Sequence, residues 1–292
     1  MGLFSGFEHI VREQEPLAPY TWLRVGGPAQ YFAEPTSVDE LVDLVKHCAE
    51  NEVHVRVLGS GSSLLVREAG VSGLVVHLAA AAFSQISAEG NTVTAGGGAK
   101  LSHVISTAVR EGLAGLEPLA GVPGTVGGAL HDNADANGTD IGQWTSKATM
   151  LTRTGAIVEQ QGDQLRFAYR DSSLDELAIL SAEFTLEKAD AEVLTKRMQK
   201  FWIVKQSSQP TANENPACAF KDVGGMNAAT LIEQAGCKGA AVGSAAVSQR
   251  DSRFIVANPG ATSDDVLKLI EKIQAAVHEQ LGVELETQVR IW

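Results

Sequence analysis

This sequence has few cysteines, no long apolar run and no excess of basic residues. Its 292 residues include 3 cysteines, which form neither a CxxC pair nor a cluster with histidine. That spacing argues against the common zinc sites and indicates reduced thiols in a cytosolic compartment. No apolar run approaches the roughly 18 residues of a membrane span, and the N-terminal segment lacks the regions of a signal peptide. We therefore expect a cytoplasmic protein without a metal site or a membrane anchor.

Acidic residues outnumber basic ones. The chain has 23 Lys and Arg against 35 Asp and Glu, a formal net charge of −12. Such a balance disfavours nucleic acid and anionic membranes as partners, although a few well-placed cations can still bind a small anionic substrate. The length allows two domains with their own cores. We expect a monomer that binds small molecules and no nucleic acid.

The hydrophobic pattern mixes helix and strand periods and predicts an α+β protein. A composition shift at Lys188 predicts the main domain boundary, and the polar stretch 206–216, which contains two prolines, predicts a linker. The predicted domains are 1–188, with subdomains of about 1–79 and 80–188, and 189–292.

Two helices have recognisable start signals. Ser37 and Glu40 have the spacing of a capping box and predict a helix through about Glu50. Ser263, followed by two aspartates, is the predicted N-cap of a second helix that ends near Leu281.

A glycine- and serine-rich loop at 59–63 follows a predicted strand. It begins like a dinucleotide-binding turn, but Leu64 stands at the third glycine position and a strand follows instead of a helix. Its backbone N–H groups could still form an anion nest for a phosphate. A plain surface turn accounts equally well for this loop taken alone.

The segment 120–138 is predicted to be a second long loop, and its run GVPGTVGGA at 121–129 is unusually rich in small residues. Pro123 and Gly124 predict a tight turn. Gly127 and Gly128 would let the backbone approach a flat ligand or a phosphate closely. Two such loops in one domain suggest that a dinucleotide lies between them.

These loops belong to a series of motifs with a family resemblance. In order, the motifs are TWLRVGGPA (21–29), GSGSSLLV (59–66), GVPGTVGGA (121–129), FAYRDS (167–172), CAFK (218–221), LIEQAG (231–236) and LETQVR (285–290). The series resembles the shorter type of the UDP-N-acetylenolpyruvoylglucosamine reductases, the MurB family, from about Thr21 to the end.

The resemblance implies both a fold and a reaction. The fold would be a two-subdomain FAD-binding domain, similar to vanillyl-alcohol-oxidase (PCMH-like) flavoproteins, followed by a C-terminal α+β substrate-binding domain. The reaction would use FAD and NADPH to make UDP-N-acetylmuramate for peptidoglycan, and so for cell-wall biogenesis, cell shape and cell division.

The resemblance also implies a set of site residues. The expected catalytic residues are Arg170, Cys218 and Gln288. The expected FAD-binding residues are Gly59, Ser60, Gly61, Ser62, Ser63, Pro123, Gly124, Thr125, Gly127, Gly128 and Asn133. The expected residues for the UDP-sugar substrate are Tyr169, Lys205 and Lys221.

Chemistry supports roles for two of the catalytic residues. The planar fork of Arg170 suits a carboxylate on which charge grows, and a thiol at Cys218 can donate a proton. The alternatives are that Arg170 pairs with Asp171 or another acidic side chain and that Cys218 is a packing residue.

Several positions depart from the family pattern. A serine is more familiar at Cys218, a glutamate at Gln288, and a GNAG- or MNAG-like run where Asp132 and Asp135 stand. Glu286 lies two residues before Gln288 and is a possible substitute carboxylate, since period-two alternation puts both on one face of a strand. The departures leave open a paralogue with lost or altered activity. A nucleotide-sugar binding protein without redox function is a further alternative.

Overall fold

The structure, a computed structural model, describes residues 2–292 and mixes helices and strands along the whole chain, which confirms an α+β protein. Its α-helices are α1 (Val38–Glu50), α2 (Leu101–Arg110), α3 (Val126–His131), α4 (Ala191–Ser208), α5 (Ala228–Gln234) and α6 (Ser263–Leu281). Its strands are β1 (Val11–Pro16), β2 (Pro28–Ala33), β3 (Val55–Leu58), β4 (Leu64–Leu65), β5 (Val71–His77), β6 (Ile86–Glu89), β7 (Thr92–Gly96), β8 (Leu113–Ala114), β9 (Asp135–Ala136), β10 (Thr139–Asp140), β11 (Thr145–Leu151), β12 (Ile157–Gln161), β13 (Phe167–Ala168), β14 (Asp171–Ser172), β15 (Ala178–Thr185), β16 (Glu187–Lys188), β17 (Pro216–Cys218), β18 (Ala241–Val242), β19 (Ala245–Val247), β20 (Phe254–Ala257) and β21 (Arg290–Ile291). Across residues 2–292, none of the helices is long and apolar enough to cross a membrane.

Backbone contacts divide the chain into two compact units. The first unit comprises residues 2–13, 31–60 and 72–205, and the second comprises 14–30, 61–71 and 206–292.

The first unit is built around a five-stranded antiparallel sheet with the order β12-β11-β15-β7-β6. Helix α2 buries one stripe, because its apolar residues recur at the helical spacing from Leu101 through Val104 and Ile105. That stripe packs in one core with Met150 of β11 and Phe184 of β15. The sheet and its helices thereby give a rigid support to the loops that leave the strand ends.

A second core in the first unit lies under helix α1. The helix presents Leu41, Leu44 and Val45 at helical spacing. These residues pack with Leu74 and Val76, which alternate on one face of β5. Strand β5 pairs in parallel with β3, whose end leads into the loop at 59–63.

The second unit contains a four-stranded antiparallel sheet with the order β17-β20-β19-β18. Helices α5 and α6 share its core, to which they contribute Ile232, Leu269 and Ile273. Strand β4 pairs in parallel with β21, with Leu64 opposite Arg290, so the segment after the first glycine loop clusters with the C-terminus.

The predicted domain limits are not the limits of these units. The first unit extends past Lys188 to Lys205, because α4 buries Leu194 in the core of the five-stranded sheet. The predicted linker at 206–216 is wrong at both ends, since α4 continues to Ser208 and β17 begins at Pro216.

Both predicted helix starts are real, with a shift of one residue in the capping. Ser37 Oγ accepts from the N–H of Glu40, as predicted, but the Glu40 carboxylate accepts from Thr36 instead of Ser37. At α6 the N-cap is Thr262, whose Oγ1 accepts from the N–H of Asp265 at 3.2 Å. The predicted cap, Ser263, is the first residue of the helix and is buried.

Candidate active site

Gly59 of the first glycine-rich loop meets Thr125 of the second within the first unit. A Cβ built on Gly59 would lie 2.9 Å from Thr125 Oγ1, so the first loop needs glycine to pass this side chain. Gly61, with φ of +64°, has a different reason to be glycine, since a Cβ there would collide with the carbonyl oxygen of Tyr20. The loop joins strand β3 to strand β4, as predicted.

The second loop is partly helical, so the prediction of an irregular segment over 120–138 is wrong. Thr125 caps the short helix α3, and its Oγ1 accepts from the N–H of Gly128 at 3.4 Å. Backbone bonds hold the turn in place: Val126 N–H donates to Ala99 O at 2.9 Å and Gly127 N–H donates to Gly97 O at 2.8 Å. Sequence reasoning missed α3 because two of its six residues are glycine, which has a low helix propensity.

Gly128 leaves room for a ligand beside this loop. Outside its own helix, the only atom of residues 2–292 within 4 Å of a Cβ built there is Thr125 Oγ1, at 3.6 Å. Packing within the chain therefore does not require glycine at this position, whereas close approach of a cofactor would. The neighbouring Gly127 is more restricted, since its Cβ would lie 3.2 Å from Gly97 O. The two loops thus fit a bound dinucleotide such as FAD.

Lys205 lies close to the same loop. A Cβ built on Gly121, where φ is +86°, would be 2.9 Å from Lys205 Cδ. The stem of this predicted substrate-binding lysine therefore packs against the start of the second glycine run.

Arg170 occupies a strained position in a tight hairpin. Strands β13 and β14 pair with Phe167 opposite Ser172, which leaves Tyr169 and Arg170 as the turn. The φ of Arg170 is +55°, in the left-handed region that costs about 1 kcal/mol or more for a side chain with a Cβ. Strain of this kind is typical of functional positions. Tyr169 is exposed, and the Arg170 guanidinium carbon is 5.9 Å from its ring centroid.

The guanidinium of Arg170 pairs with Asp135. Arg170 Nη2 lies 2.7 Å from Asp135 Oδ1. Asp135 Oδ1 is buried from water. It is close enough to Arg170 Nη2 for an ion pair, but the two groups are not aligned for a hydrogen bond. The acidic partner anticipated as the structural alternative for Arg170 is thus present within the first unit.

Asn133, a predicted FAD-binding residue, holds this region together. Its buried amide donates from Nδ2 to Ala168 O at 2.8 Å, and its Oδ1 accepts from the N–H of Gly142 at 3.0 Å. The side chain therefore ties the Arg170 hairpin to the segment after α3.

In the second unit, antiparallel pairing brings three predicted site residues onto neighbouring segments. Gln288 N–H donates to Ala219 O at 2.7 Å, and Lys221 N–H donates to Glu286 O at 3.0 Å. Gln288 therefore lies opposite Ala219, which directly follows Cys218. Regular strand structure at the C-terminus is restricted to β21, which is shorter than the predicted strand over 283–291.

Gln288 has an unsatisfied polar atom. The residue is 7% exposed, and its Oε1 is buried without a hydrogen-bond partner among residues 2–292. An orphaned buried acceptor is costly in a folded protein and is typical of a site that a ligand completes. Glu286, by contrast, is 74% exposed and lies 3.5 Å from Lys221 Nζ, so the two side chains have different environments despite their spacing.

Cys218 differs from the other two cysteines in its exposure. Cys48 and Cys237 are buried packing residues, as expected, and burial raises the pKa of the Cys48 thiol to about 11. Cys218, at the end of β17, is partly exposed, and its Sγ lies 3.7 Å from Phe220 O. It is the cysteine best placed to meet a ligand.

A partly buried charge network adjoins Cys218, and sequence reasoning did not assign it a role. Arg253 donates to Asp251 from Nε at 3.1 Å and from Nη2 at 2.8 Å, and its Nη1 lies 3.5 Å from Asp222 Oδ2. The pKa of Arg253 is raised above its usual value, chiefly by the hydrogen bonds to Asp251. Nearby charges, among them that of Cys218, raise this pKa further. The persistent cation favours the anionic form of a group beside it.

Two known protein families match different parts of this chain. Residues 29–160 match the FAD binding domain family and residues 209–292 match the C-terminal domain of UDP-N-acetylenolpyruvoylglucosamine reductase. The fold is thus that of a flavoprotein with an FAD-binding domain and a second, C-terminal domain.

Whole-chain comparisons place the protein more closely. It is 39% identical over 284 residues to UDP-N-acetylenolpyruvoylglucosamine reductase of Rhodopirellula baltica, covering 97% of this chain and 93% of that protein. It is 37% identical over 294 residues to the same-named protein of Listeria innocua, with coverage of 99% and 97%. The crystal structure of the reductase from Thermus caldophilus matches with a TM-score of 0.83 and 32% identity, over 97% of this chain and 99% of that one. The chain belongs to the UDP-N-acetylenolpyruvoylglucosamine reductase family.

Proposed function

We propose that this chain is an FAD-containing, NADPH-dependent reductase that converts UDP-N-acetylenolpyruvoylglucosamine to UDP-N-acetylmuramate for peptidoglycan synthesis. The observation that carries the proposal is the approach of Gly59 to Thr125 within the first unit, together with the room for a ligand at Gly128. The names of the relatives that match along the whole chain support the same reaction.

The glycine-rich loops would hold the cofactor. The residues of 59–63 and 121–129 offer backbone N–H groups and close approach to a dinucleotide, which suits FAD. FAD, when bound, supplies the hydride for reduction of the enolpyruvyl double bond, and NADPH is the source of its electrons. The other side chains of the site then need only bind, orient and protonate the substrate.

Arg170 would stabilise the substrate carboxylate as charge accumulates on it. Its guanidinium is a permanent cation with a planar fork of donors, carried on the tight turn between β13 and β14. Tyr169, Lys205 and Lys221 would bind the UDP-sugar, since a pyrophosphate needs cations and a base or sugar can pack on an exposed ring.

Cys218 would donate the proton that completes the reduction. Its thiol is partly exposed, and the thiolate left after donation would lie in the field of the Arg253 cation, which favours release of the proton. Gln288 would present its unsatisfied Oε1 to a donor group on the substrate, without the negative charge of a glutamate.

A cytoplasmic location and a monomeric state are part of the same proposal. The location rests on the sequence, through its few, unclustered cysteines and its lack of long apolar runs.

Altered activity is the second candidate, and Gln288 favours it. The Gln288 amide cannot exchange a proton with the substrate. The exposed Glu286 carboxylate pairs with Lys221 and does not share the buried environment of Gln288. A member of the family with this residue could bind the substrate and turn it over slowly or not at all.

Steady-state assays test the proposed function. The purified yellow protein should oxidise NADPH only when the enolpyruvyl substrate is present, and mass spectrometry should detect a product heavier by two hydrogens. If NADPH reduces the flavin but no such product forms, the altered-activity candidate is correct.

A further inference from the structure

Asp135 is placed to compete with any carboxylate for Arg170. The ion pair is short, with 2.7 Å between Arg170 Nη2 and Asp135 Oδ1. The guanidinium is 23% exposed and the carboxylate 39% exposed, so an incoming anion can reach both members of the pair. The paired oxygen itself has no access to water.

The local fold keeps the two side chains in register. Asn133 donates to Ala168 O on one strand of the Arg170 hairpin, and Ser172 Oγ on the other strand donates to His131 O at 3.1 Å. The hairpin and the segment 131–135 are therefore fastened together on both sides of the turn. These bonds keep the backbone just before Asp135 next to the Arg170 hairpin.

The charge balance at Arg170 follows from this geometry. A lone guanidinium offers a positive charge and two parallel donors to a carboxylate. With an ionised aspartate on Nη2, the pair is close to neutral, and a second carboxylate at the guanidinium also meets a like charge. Binding an anion there requires either displacement of Asp135 or sharing of Arg170 with it.

We propose that Asp135 is a specificity-determining residue that lowers the affinity of Arg170 for the substrate carboxylate and thereby raises KM. The inference rests on the proposed function for the identity of the substrate. The competition itself concerns any small carboxylate at Arg170 and can be measured without turnover.

Binding of phosphoenolpyruvate, a small enolpyruvyl carboxylate, to the holoenzyme provides the test. In calorimetry, Asp135→Asn should bind this probe about three- to tenfold more tightly than the wild type, the scale of a partly exposed charge contact. KM for the enolpyruvyl substrate should fall by a similar factor. Asp135→Ala has the same expected outcome and replaces the Asn variant if that variant does not fold.

Three controls make the result specific. Asp171→Asn removes the same charge one residue from Arg170, and Asp171 is exposed and forms no ion pair within residues 2–292, so affinity should change less than twofold. Asp135→Glu keeps the charge and should gain no affinity. Adding Arg170→Ala to Asp135→Asn should abolish the gain.

Weaker probe binding by Asp135→Asn would show that Asp135 positions Arg170 and would overturn the proposal. So would an equal gain in Asp171→Asn, or a gain that persists without Arg170. A gain in probe binding by a protein that makes no UDP-N-acetylmuramate would refute the proposed function and leave this inference standing.

Discussion

Replacement of Cys218 distinguishes a proton donor from a packing residue. Its Sγ lies 3.7 Å from Phe220 O, a weak contact, and the side chain is partly exposed. A serine hydroxyl can use the same carbonyl as an acceptor and remain a donor toward the substrate, whereas alanine removes the donor altogether. The two variants should therefore behave very differently.

The size of the effect follows from the role. Positioned proton transfer typically contributes about 10²- to 10⁴-fold to a rate. We expect Cys218→Ala to slow reduction of the enolpyruvyl substrate by about that factor, while reduction of the flavin by NADPH stays near the wild-type rate. Cys218→Ser should retain most of the activity and should lose less rate than the wild type at alkaline pH, where a thiol but not a hydroxyl ionises.

Cys237 is the matched control. Its Sγ has a similar contact, 3.6 Å from Ala235 O, but the residue is buried in the core of the second unit. Cys237→Ala and Cys237→Ser should leave both half-reactions unchanged and affect stability alone. Stopped-flow traces of each half-reaction measure all four variants. If Cys218→Ala reduces the substrate as fast as the wild type, Cys218 has no part in the chemistry.

Three other predictions concern Arg170, the binding of FAD and the start of helix α6. Arg170→Ala should slow substrate reduction about 10²- to 10³-fold with normal FAD content; an unchanged substrate half-reaction would make Arg170 structural. FAD should be released completely by acid precipitation, since neither 59–63 nor 121–129 contains a histidine or cysteine that could form a flavin linkage; colour left in the pellet would refute non-covalent binding. Thr262→Ala should lower the free energy of unfolding by about 1 kcal/mol at neutral pH. The backbone N–H of Thr262 is the main cause that lowers the pKa of Asp265, so the stability that this carboxylate contributes is present above its unfolded pKa and lost as pH falls through the folded one. Alanine keeps this backbone donor, so urea titrations should show both proteins losing stability in acid with a nearly constant difference; a difference that disappears in acid would contradict it.

Local sequence signals explain why much of the fold was predictable. Apolar residues at helical spacing and capping residues predicted where α1 and α6 begin, with an error of at most one residue. These signals act over one or two helical turns, so they can be recognised in the local sequence. Helix α3 escaped prediction because glycine disfavours a helix locally, while its Thr125 cap and its bonds to residues 97–99 are what stabilise it.

Contacts between distant parts of the sequence explain what could not be predicted at the site. The carboxylate of Asp135 is 35 residues from Arg170 in sequence, and nothing local indicates that a hairpin brings them to 2.7 Å. The same holds for the Arg253 network beside Cys218 and for the unsatisfied Oε1 of Gln288. The motifs identified the candidate site residues, but only the folded chain shows which charged side chains lie next to them.

An anaerobic single turnover tests the central claim most directly. The protein is reduced by one equivalent of NADPH per flavin and then mixed with UDP-N-acetylenolpyruvoylglucosamine in the absence of oxygen. We predict return of the oxidised flavin spectrum together with one equivalent of UDP-N-acetylmuramate. A flavin that stays reduced, with the substrate recovered unchanged, would contradict the assignment of this chain as an active reductase.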